Sequence, residues 1–239
     1  MELHVLNGDA LAEKFPFAGE KIICREALID GPVDARDLDS FWAQRATFLS
    51  SDNPDEYFNL VVKEYHRLTR ADASVINLWF EHDLFCQVNL WFTIHLLEKS
   101  KTNASLYVVT PTDLTDPLWS GFGKMSNEDL EKCYEARVLV EGQDKQLALA
   151  LWDAYSTNNA LALTKQSDHK SKAFPLLAEV CKAHLDRFSR DGLGRPEKKL
   201  KSILENGTTQ FDKIFHEFRQ TEGVYGFGDA QVKSLLSKV

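Results

Sequence analysis

Long apolar runs and a recognisable export signal are missing from this 239-residue sequence. No window approaches the roughly 18 consecutive apolar residues that a membrane-spanning helix needs. The first residues, MELHVLNGD, show no basic segment followed by an apolar one, so a secretory signal is not predicted. These absences favour a soluble, cytoplasmic protein with no membrane partner.

Several motifs of catalysis and cofactor binding are also missing. The four cysteines lie far apart with no C-x-x-C pair, which argues against a zinc ribbon or a redox dithiol and favours buried free thiols. No H-x-x-x-H or G-x-S-x-G pattern occurs, so a zinc protease and a nucleophile elbow are not supported. A dinucleotide fingerprint and a P-loop are absent as well.

Basic residues are fewer than acidic ones: the sequence has 28 Lys and Arg and 36 Asp and Glu, which gives a formal net charge of −8. An acidic protein is not expected to bind nucleic acid over its whole surface. Residues 190–239 differ, with nine basic against seven acidic side chains and a cluster at Lys198, Lys199 and Lys201. This composition fits weak nucleic-acid contact, and a solvated helix face explains it more simply.

What the sequence does contain is one strongly apolar stretch interrupted by charge, residues 75–97. The run 75–79 (VINLW) is typical of a buried central strand. From Leu84 onward the residues are apolar on nearly every side of a helix, which predicts a buried helix. Glu81, His82 and Asp83 stand between these two buried elements.

The first 120 residues alternate short apolar runs with helical segments, the pattern of a parallel α/β domain. Asp9 follows the first run and is placed to cap a helix that begins at Ala10 and ends near Phe15. The predicted strands are residues 3–6, 21–24, 75–79 and 104–110. The predicted fold class is therefore α/β, with a small, mostly parallel sheet of four or five strands and flanking helices.

Past residue 111 the pattern becomes helical and no strand is predicted. Helical spacing covers residues 126–135, 143–155 and 173–187, and a polar, glycine-rich linker follows at 189–195. Two short helices, a glycine-rich turn at 223–228 and a last helix from Asp229 complete the chain. We predict an α/β domain over 1–120, a helical region over 121–189, and a helix-turn-helix-like or winged-helix-like module over 190–239.

Glu81, His82 and Asp83 are the candidate catalytic residues, because ligands bind at the carboxyl ends of strands in open α/β sheets. The two carboxylates, joined by Asp9 or Glu26 from neighbouring strand ends, are candidates to hold a divalent cation such as Mg²⁺ through oxygen ligands. They can equally act as acid and base, with His82 transferring a proton. The simpler alternative is that Asp83 only caps the following helix and that Glu81 pairs with Arg25.

Five further side chains are candidates for ligand binding: Asn7, Asp9, Arg25, Glu26 and Gln87. Asn7 and Asp9 flank a strand-to-helix turn whose N–H groups can meet an anion. Arg25 can clamp a phosphate or a carboxylate, or it can pair with Asp9. Gln87 shares a helix face with Asp83, and a buried amide needs a hydrogen-bonding partner.

Four segments in order along nearly the whole chain carry a likeness to a known family. They are residues 4–15 (HVLNGDALAEKF), 24–33 (CREALIDGPV), 78–90 (LWFEHDLFCQVNL) and 192–204 (GLGRPEKKLKSIL), with FGD at 227–229. They resemble the bacterial domain-of-unknown-function family numbered 1835. That resemblance implies an α/β amino-terminal part and a helical carboxyl-terminal part, and it brings no activity. Here Cys86 and the pair Gly194-Arg195 depart from the residues that family members often carry.

Two functions are therefore expected from the sequence. The first is binding of a small anionic ligand, phosphate- or nucleotide-like and assisted by a cation such as Mg²⁺, at the strand ends. The alternative is a non-enzymatic regulatory protein that contacts nucleic acid or a partner protein through residues 190–239.

Overall fold

The computed structural model describes residues 1–114, 119–189 and 192–239. Its centre is a five-stranded sheet with the strand order β2-β1-β3-β4-β5. The first four strands are parallel, and β5 runs antiparallel to β4 at one edge. The strands are β1 Glu2–Asn7, β2 Glu20–Cys24, β3 Val75–Trp79, β4 Ser105–Val109 and β5 Val138–Leu139. This confirms the predicted α/β class with a mostly parallel sheet.

Helical segments connect the strands and form the rest of the chain. Those that precede β5 are α1 Asp9–Ala12, α2 Leu38–Leu49, α3 Pro54–Tyr57, a π-helical turn Phe58–Val62, α4 Lys63–Thr69, α5 Leu84–Ser100, a 3₁₀ turn Phe122–Lys124 and α6 Asn127–Glu135. Those that follow it are α7 Gly142–Ser156, α8 Ala160–Ser167, α9 Leu177–Asp186, α10 Arg195–Glu205, α11 Phe211–Glu222, a 3₁₀ turn Gly223–Tyr225 and α12 Asp229–Leu236.

The sheet is buried on both faces. Alternate side chains of each strand point to opposite sides, and each side packs into a hydrophobic cluster. On β3, Ile76 and Leu78 belong to the larger hydrophobic cluster, which also contains most of α5. Trp79 belongs to a smaller cluster on the other face. Leu200 and Phe218, from α10 and α11, join the larger cluster, so the carboxyl-terminal helices share the main core.

Helix α5 is the buried helix that the sequence predicted, with 12 of its 17 residues buried. It begins after Asp83, which is its N-cap. The side chain of Asp83 accepts a hydrogen bond from the backbone N–H of Cys86, as N-cap side chains usually do. It ends where Lys101 adopts a left-handed conformation, with φ of 56°. Its strand partner β3 has the predicted bounds, so the two buried elements meet at residues 80–83.

The structure corrects four details of the sequence prediction. A strand, β5, lies where none was predicted, because two residues are too few to show a periodic pattern and pairing with β4 defines them. Helix α1 spans only four residues, and Gly8 rather than Asp9 is its N-cap. Apolar residues at helical spacing predict one helix over 56–71, and the π-helical turn Phe58–Val62 interrupts it. Helix α8 was not predicted.

The carboxyl-terminal end contains the three predicted helices, α10, α11 and α12. The predicted linker at 189–195 falls partly outside the described residues, which omit 190 and 191. The division into three domains therefore stays a prediction. Among the helices of the described ranges, none has both the length and the apolar character that crossing a bilayer requires.

Candidate metal centre

The candidate site lies where the chain connections diverge in the sheet. β1 is followed in sequence by its neighbour on one side, β2, and β3 by its neighbour on the other side, β4. Ligands of open α/β sheets bind outside the carboxyl ends of the strands at such a switch point. Asn7 ends β1, and residues 80–83 follow β3, so the acidic hinge predicted from the sequence occupies this position.

Asp83 is a buried carboxylate with a capping role. Its Oδ1 accepts a hydrogen bond of 3.0 Å from the backbone N–H of Cys86, and only 6% of the residue is exposed. Burial, and then the neighbouring charge of Glu81, raise the pKa of Asp83 to about 7. The carboxyl group is therefore about half protonated at pH 7, and a bound cation would displace that proton.

Glu81 is partly buried and turned toward the same space. Its Oε1 accepts a hydrogen bond of 2.6 Å from the backbone N–H of Phe122. Its backbone carbonyl accepts a hydrogen bond of 2.7 Å from Nε2 of Gln87. Gln87 thus fixes the hinge backbone, which gives this buried amide the partner that the sequence required.

Cys86 is the residue of this site that the sequence analysis missed. Its thiol lies 3.3 Å from Oε2 of Glu81 and accepts a hydrogen bond of 3.0 Å from Nδ2 of Asn7. Asn89 in turn donates to Oδ1 of Asn7 at 3.1 Å and so fixes the orientation of that amide. The available signal was positional, because the third residue of a helix lies beside the N-cap side chain.

Burial, followed by the charges of Asp83 and Glu81, raises the pKa of the Cys86 thiol well above its ordinary value. The thiol is therefore protonated at neutral pH. All four cysteines are buried and free, as the sequence predicted, and Cys86 differs in having two carboxylates beside it.

Glu81, Asp83 and Cys86 bring three metal-binding atoms together. One carboxylate oxygen from each acid and the sulfur of Cys86 all lie within 4.8 Å of one another. Among the described residues, no ion pair includes Glu81 or Asp83. Within the ranges that the structure describes, the cluster is thus an acid pair beside a thiol, and no lysine or arginine pairs with either acid.

Two glycines from separate segments lie directly against the two carboxylates. A Cβ atom at Gly121 would lie 1.9 Å from Oε1 of Glu81. A Cβ atom at Gly226, in the turn between α11 and α12, would lie 2.0 Å from Oδ1 of Asp83. Any side chain at either position would displace the carboxylate or the segment, so the site is closely covered by backbone.

His82, the third predicted catalytic residue, turns away from this cluster. Its Nε2 lies 2.9 Å from the carbonyl oxygen of Pro111, and 4% of the residue is exposed. Burial lowers the pKa of His82, which keeps the imidazole neutral at pH 7. Since a neutral imidazole has one N–H, this contact has the ring donating from Nε2 to the carbonyl, which fixes the position of the loop after β4.

Asp9 and Arg25 form an ion pair instead of joining the acid cluster. Nη2 of Arg25 lies 2.7 Å from Oδ1 of Asp9, with 55% of the Asp9 side chain exposed. Arg25 also donates to the carbonyl oxygen of Leu60. Asp9 is not in the group of metal-binding atoms that Glu81, Asp83 and Cys86 form, so its predicted place in a metal site with the two acids is not supported by its position. The alternative pairing of Arg25 with Glu81 is corrected, because Arg25 pairs with Asp9 instead.

Glu26 belongs to the core rather than to the site. Its carboxylate forms a fully buried ion pair with Arg45 at 2.7 Å and accepts a hydrogen bond from the hydroxyl of Tyr57. Arg45 donates further hydrogen bonds to the carbonyl oxygens of Ala27 and Asp30. Glu26 and Arg45 thus hold the loop after β2, and the predicted ligand-binding role of Glu26 is not supported by its position.

Four of the seven basic side chains in α10, α11 and α12 lie within 4.0 Å of an acid. Arg195 lies 2.8 Å from Glu222 and 3.5 Å from Asp186. Further pairs are Lys199 with Glu217, Lys201 with Glu205, and Lys233 with Asp229. The predicted nucleic-acid contact through 190–239 stays a prediction.

A cleft of about 650 Å³ lies elsewhere, between β5 and the amino-terminal ends of α7 and α9. Its polar lining includes Asp144, which accepts a hydrogen bond of 2.7 Å from the Ser171 hydroxyl. Lys170 and Lys172 are exposed at its edge. The cleft is separate from the acid cluster in the sheet, because none of Glu81, Asp83 and Cys86 lines it.

Comparison with known proteins gives no identification, because no family model, no curated protein and no solved structure matches this chain.

Proposed function

We propose that the protein binds a divalent cation at the carboxyl ends of β1 and β3, with Glu81, Asp83 and Cys86 as its ligands. The observation that carries this proposal is the grouping of three ligand atoms within 4.8 Å at the switch point of the sheet. Carboxylates and thiolates are common protein ligands of divalent cations. A cation held at this site would serve either the binding of a small ligand or catalysis.

The electrostatics of the cluster support a cation. Two acids that share a buried space repel each other, and charging both without a counter-ion costs several kcal/mol per ion on burial, as an order of magnitude. A proton on Asp83 removes one charge, as its raised pKa indicates. A divalent cation removes both charges at once and uses the lone pairs that the protein leaves facing the cluster.

We propose that the anionic, phosphate- or nucleotide-like ligand expected from the sequence binds only when the cation is bound. Two carboxylates repel an anion, and Arg25, the predicted anion clamp, is paired with Asp9. A bound cation reverses the sign of the local charge and lets an anion approach. Anion binding should therefore require the cation and fail without it.

The test is thermal unfolding with and without Zn²⁺, Mn²⁺ and Mg²⁺, for the wild type and for Asp83→Asn. A cation that binds only the folded state at about 100 times its Kd adds about 2.7 kcal/mol of stability, or roughly 5–10 °C in Tm for a chain of this size. We expect this shift in the wild type and not in Asp83→Asn. Asparagine also caps helices well, so the variant should still unfold cooperatively.

Asp37→Asn is the matched control. Asp37 caps α2 through a hydrogen bond of 2.8 Å from the Ser40 N–H, as Asp83 caps α5. The control variant should keep the full cation-dependent shift. If Asp83→Asn keeps it as well, or if the wild type shows no shift with any of the three cations, the proposed site is wrong.

A further inference from the structure

We infer that this site takes a thiophilic cation of the Zn²⁺ class in preference to Mg²⁺, and that Gly121 and Gly226 are specificity-determining residues for that choice. The inference rests on the proposed cation site and adds the class of cation and the residues that select it. It replaces the Mg²⁺ expected from the sequence, which considered oxygen ligands alone.

The ligand atoms of the cluster favour zinc over magnesium. Cys86 contributes sulfur, a soft ligand that zinc accepts and that Mg²⁺ does not use in proteins. The sulfur lies 3.3 Å from Oε2 of Glu81. Zn–S distances of about 2.3 Å and Zn–O distances of about 2.0–2.2 Å place ligand atoms of one tetrahedral ion about 3.3–3.8 Å apart. The observed grouping within 4.8 Å therefore needs only small adjustments.

Two amide side chains form a hydrogen-bonded pair behind the sulfur of Cys86. Nδ2 of Asn7 donates to Sγ of Cys86 at 3.0 Å, and Asn89 holds the Asn7 amide in that orientation. A cation that binds the sulfur would displace its proton, and this amide donor would then stabilise the resulting thiolate. Such outer partners orient ligands and tune affinity at zinc sites. The amide pair thus prepares Cys86 as a ligand.

Two glycines enclose the carboxylates of the site. Gly121 and Gly226 leave no room for a side chain against Glu81 and Asp83, since Cβ atoms there would lie 1.9 and 2.0 Å from carboxylate oxygens. Mg²⁺ gives up its water reluctantly and keeps several water ligands in proteins. Zinc is satisfied by three protein ligands and one open position. A closely covered site with few ligands therefore favours zinc.

Gly226 also makes the carboxyl-terminal helices part of the site. It lies in the turn that joins α11 to α12, and its neighbours Tyr225 and Phe227 are buried in the main core. The wall over Asp83 thus comes from the other end of the chain. A function for the last helices follows that needs no nucleic acid, namely completing the cation site.

The experiment measures Kd for Zn²⁺ and Mg²⁺ by isothermal titration of the reduced, full-length protein. We expect the wild type to bind Zn²⁺ at least 100-fold more tightly than Mg²⁺. Loss of an outer partner at a zinc site costs about 10–100-fold in affinity, so Cys86→Ser, which removes a ligand, should cost more than about 100-fold for Zn²⁺. The same change should leave Mg²⁺ binding within a few-fold of its wild-type value.

Two glycine pairs test the enclosure. Gly121→Ala should weaken Zn²⁺ binding at least 10-fold, whereas Gly123→Ala, in the same segment and facing open space, should not. Gly226→Ala should behave like Gly121→Ala. Its control is Gly207→Ala, because Gly207 has a similar positive φ and no atom within 4 Å of a Cβ. The strain of a positive φ is thus present in both members of the second pair.

The outcomes separate this inference from the proposed function. If the wild type binds Mg²⁺ as tightly as Zn²⁺, or if Cys86→Ser binds Zn²⁺ as the wild type does, the inference is wrong while the cation site stands. If Gly121→Ala and Gly226→Ala both bind Zn²⁺ as tightly as the wild type does, the role of the glycines is wrong. If no cation binds the wild type, the proposed function itself fails. The wild-type comparison needs no variant, so it decides even if a variant does not fold.

Discussion

Replacing Arg45 by methionine would remove one member of a buried ion pair while keeping most of its apolar volume. Arg45 and Glu26 are both fully buried at the side chain and lie 2.7 Å apart. Burial of an isolated carboxylate is costly, because neither water nor a positive charge offsets its loss of hydration. Arg45→Met should therefore destabilise the fold strongly.

The magnitude follows from what Arg45 contacts. Without it, Glu26 keeps hydrogen bonds from the Tyr57 hydroxyl and the Ala27 N–H but loses its counter-charge. The carbonyl oxygens of Ala27 and Asp30 lose their donor as well. Breaking a buried pair from one side costs about 3–5 kcal/mol. For a chain of this size that is a fall in Tm of about 6–20 °C.

Thermal and urea unfolding of four proteins measure the effect: wild type, Arg45→Met, Glu26→Gln and the double variant. The double variant should be more stable than either single variant, because it leaves no uncompensated charge in the core. Arg67→Met is the matched surface control. Arg67 pairs with Glu20 at 2.6 Å, with 41% of its own side chain exposed, so its loss should cost less than about 1 kcal/mol.

The same variants decide between a structural and a ligand-binding Glu26. If Glu26 is structural, Glu26→Gln should be less stable and yet bind Zn²⁺ with unchanged Kd, because Glu26 lies outside the metal-binding group. A cost below about 1 kcal/mol for Arg45→Met, together with loss of cation binding in Glu26→Gln, would refute this reasoning. That result would indicate that Glu26 binds the cation or its ligand.

Two further predictions concern pH and nucleic acid. Burial, and then the charge of Arg187, lower the pKa of His184 from 6.5 to about 4 in the folded protein. Between these two pH values the unfolded chain is protonated at His184 and the folded chain is not. The free energy of unfolding should therefore fall by up to about 3 kcal/mol as pH drops from about 6.5 to 4. Urea titrations should show a fall smaller by that amount in His184→Gln than in the wild type, and the same pH dependence in both proteins would contradict this. For nucleic acid, the acids paired with Arg195, Lys199 and Lys201 lead us to expect no gel retardation of duplex DNA by the full chain at about 150 mM salt. Retardation at that salt would favour the nucleic-acid alternative.

The sequence by itself determined the elements whose cause is local. β3 and α5 have the predicted starting residues, because a run of apolar residues and a helix apolar on all sides are visible without knowing any neighbour. The capping role of Asp83 was predictable for the same reason, since an N-cap bonds to residues only two or three positions away. The position of the acidic hinge at the strand ends followed from the alternation of strands and helices.

Only the tertiary structure decided which polar side chains meet. Asp9, Glu26 and Glu81 all stand near strand ends in the sequence, and the structure gives the first to Arg25, the second to Arg45 and the third to the cluster with Asp83. The closure of that cluster by Gly226 depends on a turn near the other end of the chain. Ion pairs and close backbone approaches join residues far apart in sequence, and periodicity carries no information about them, because it records only whether a position is buried and not which partner it meets.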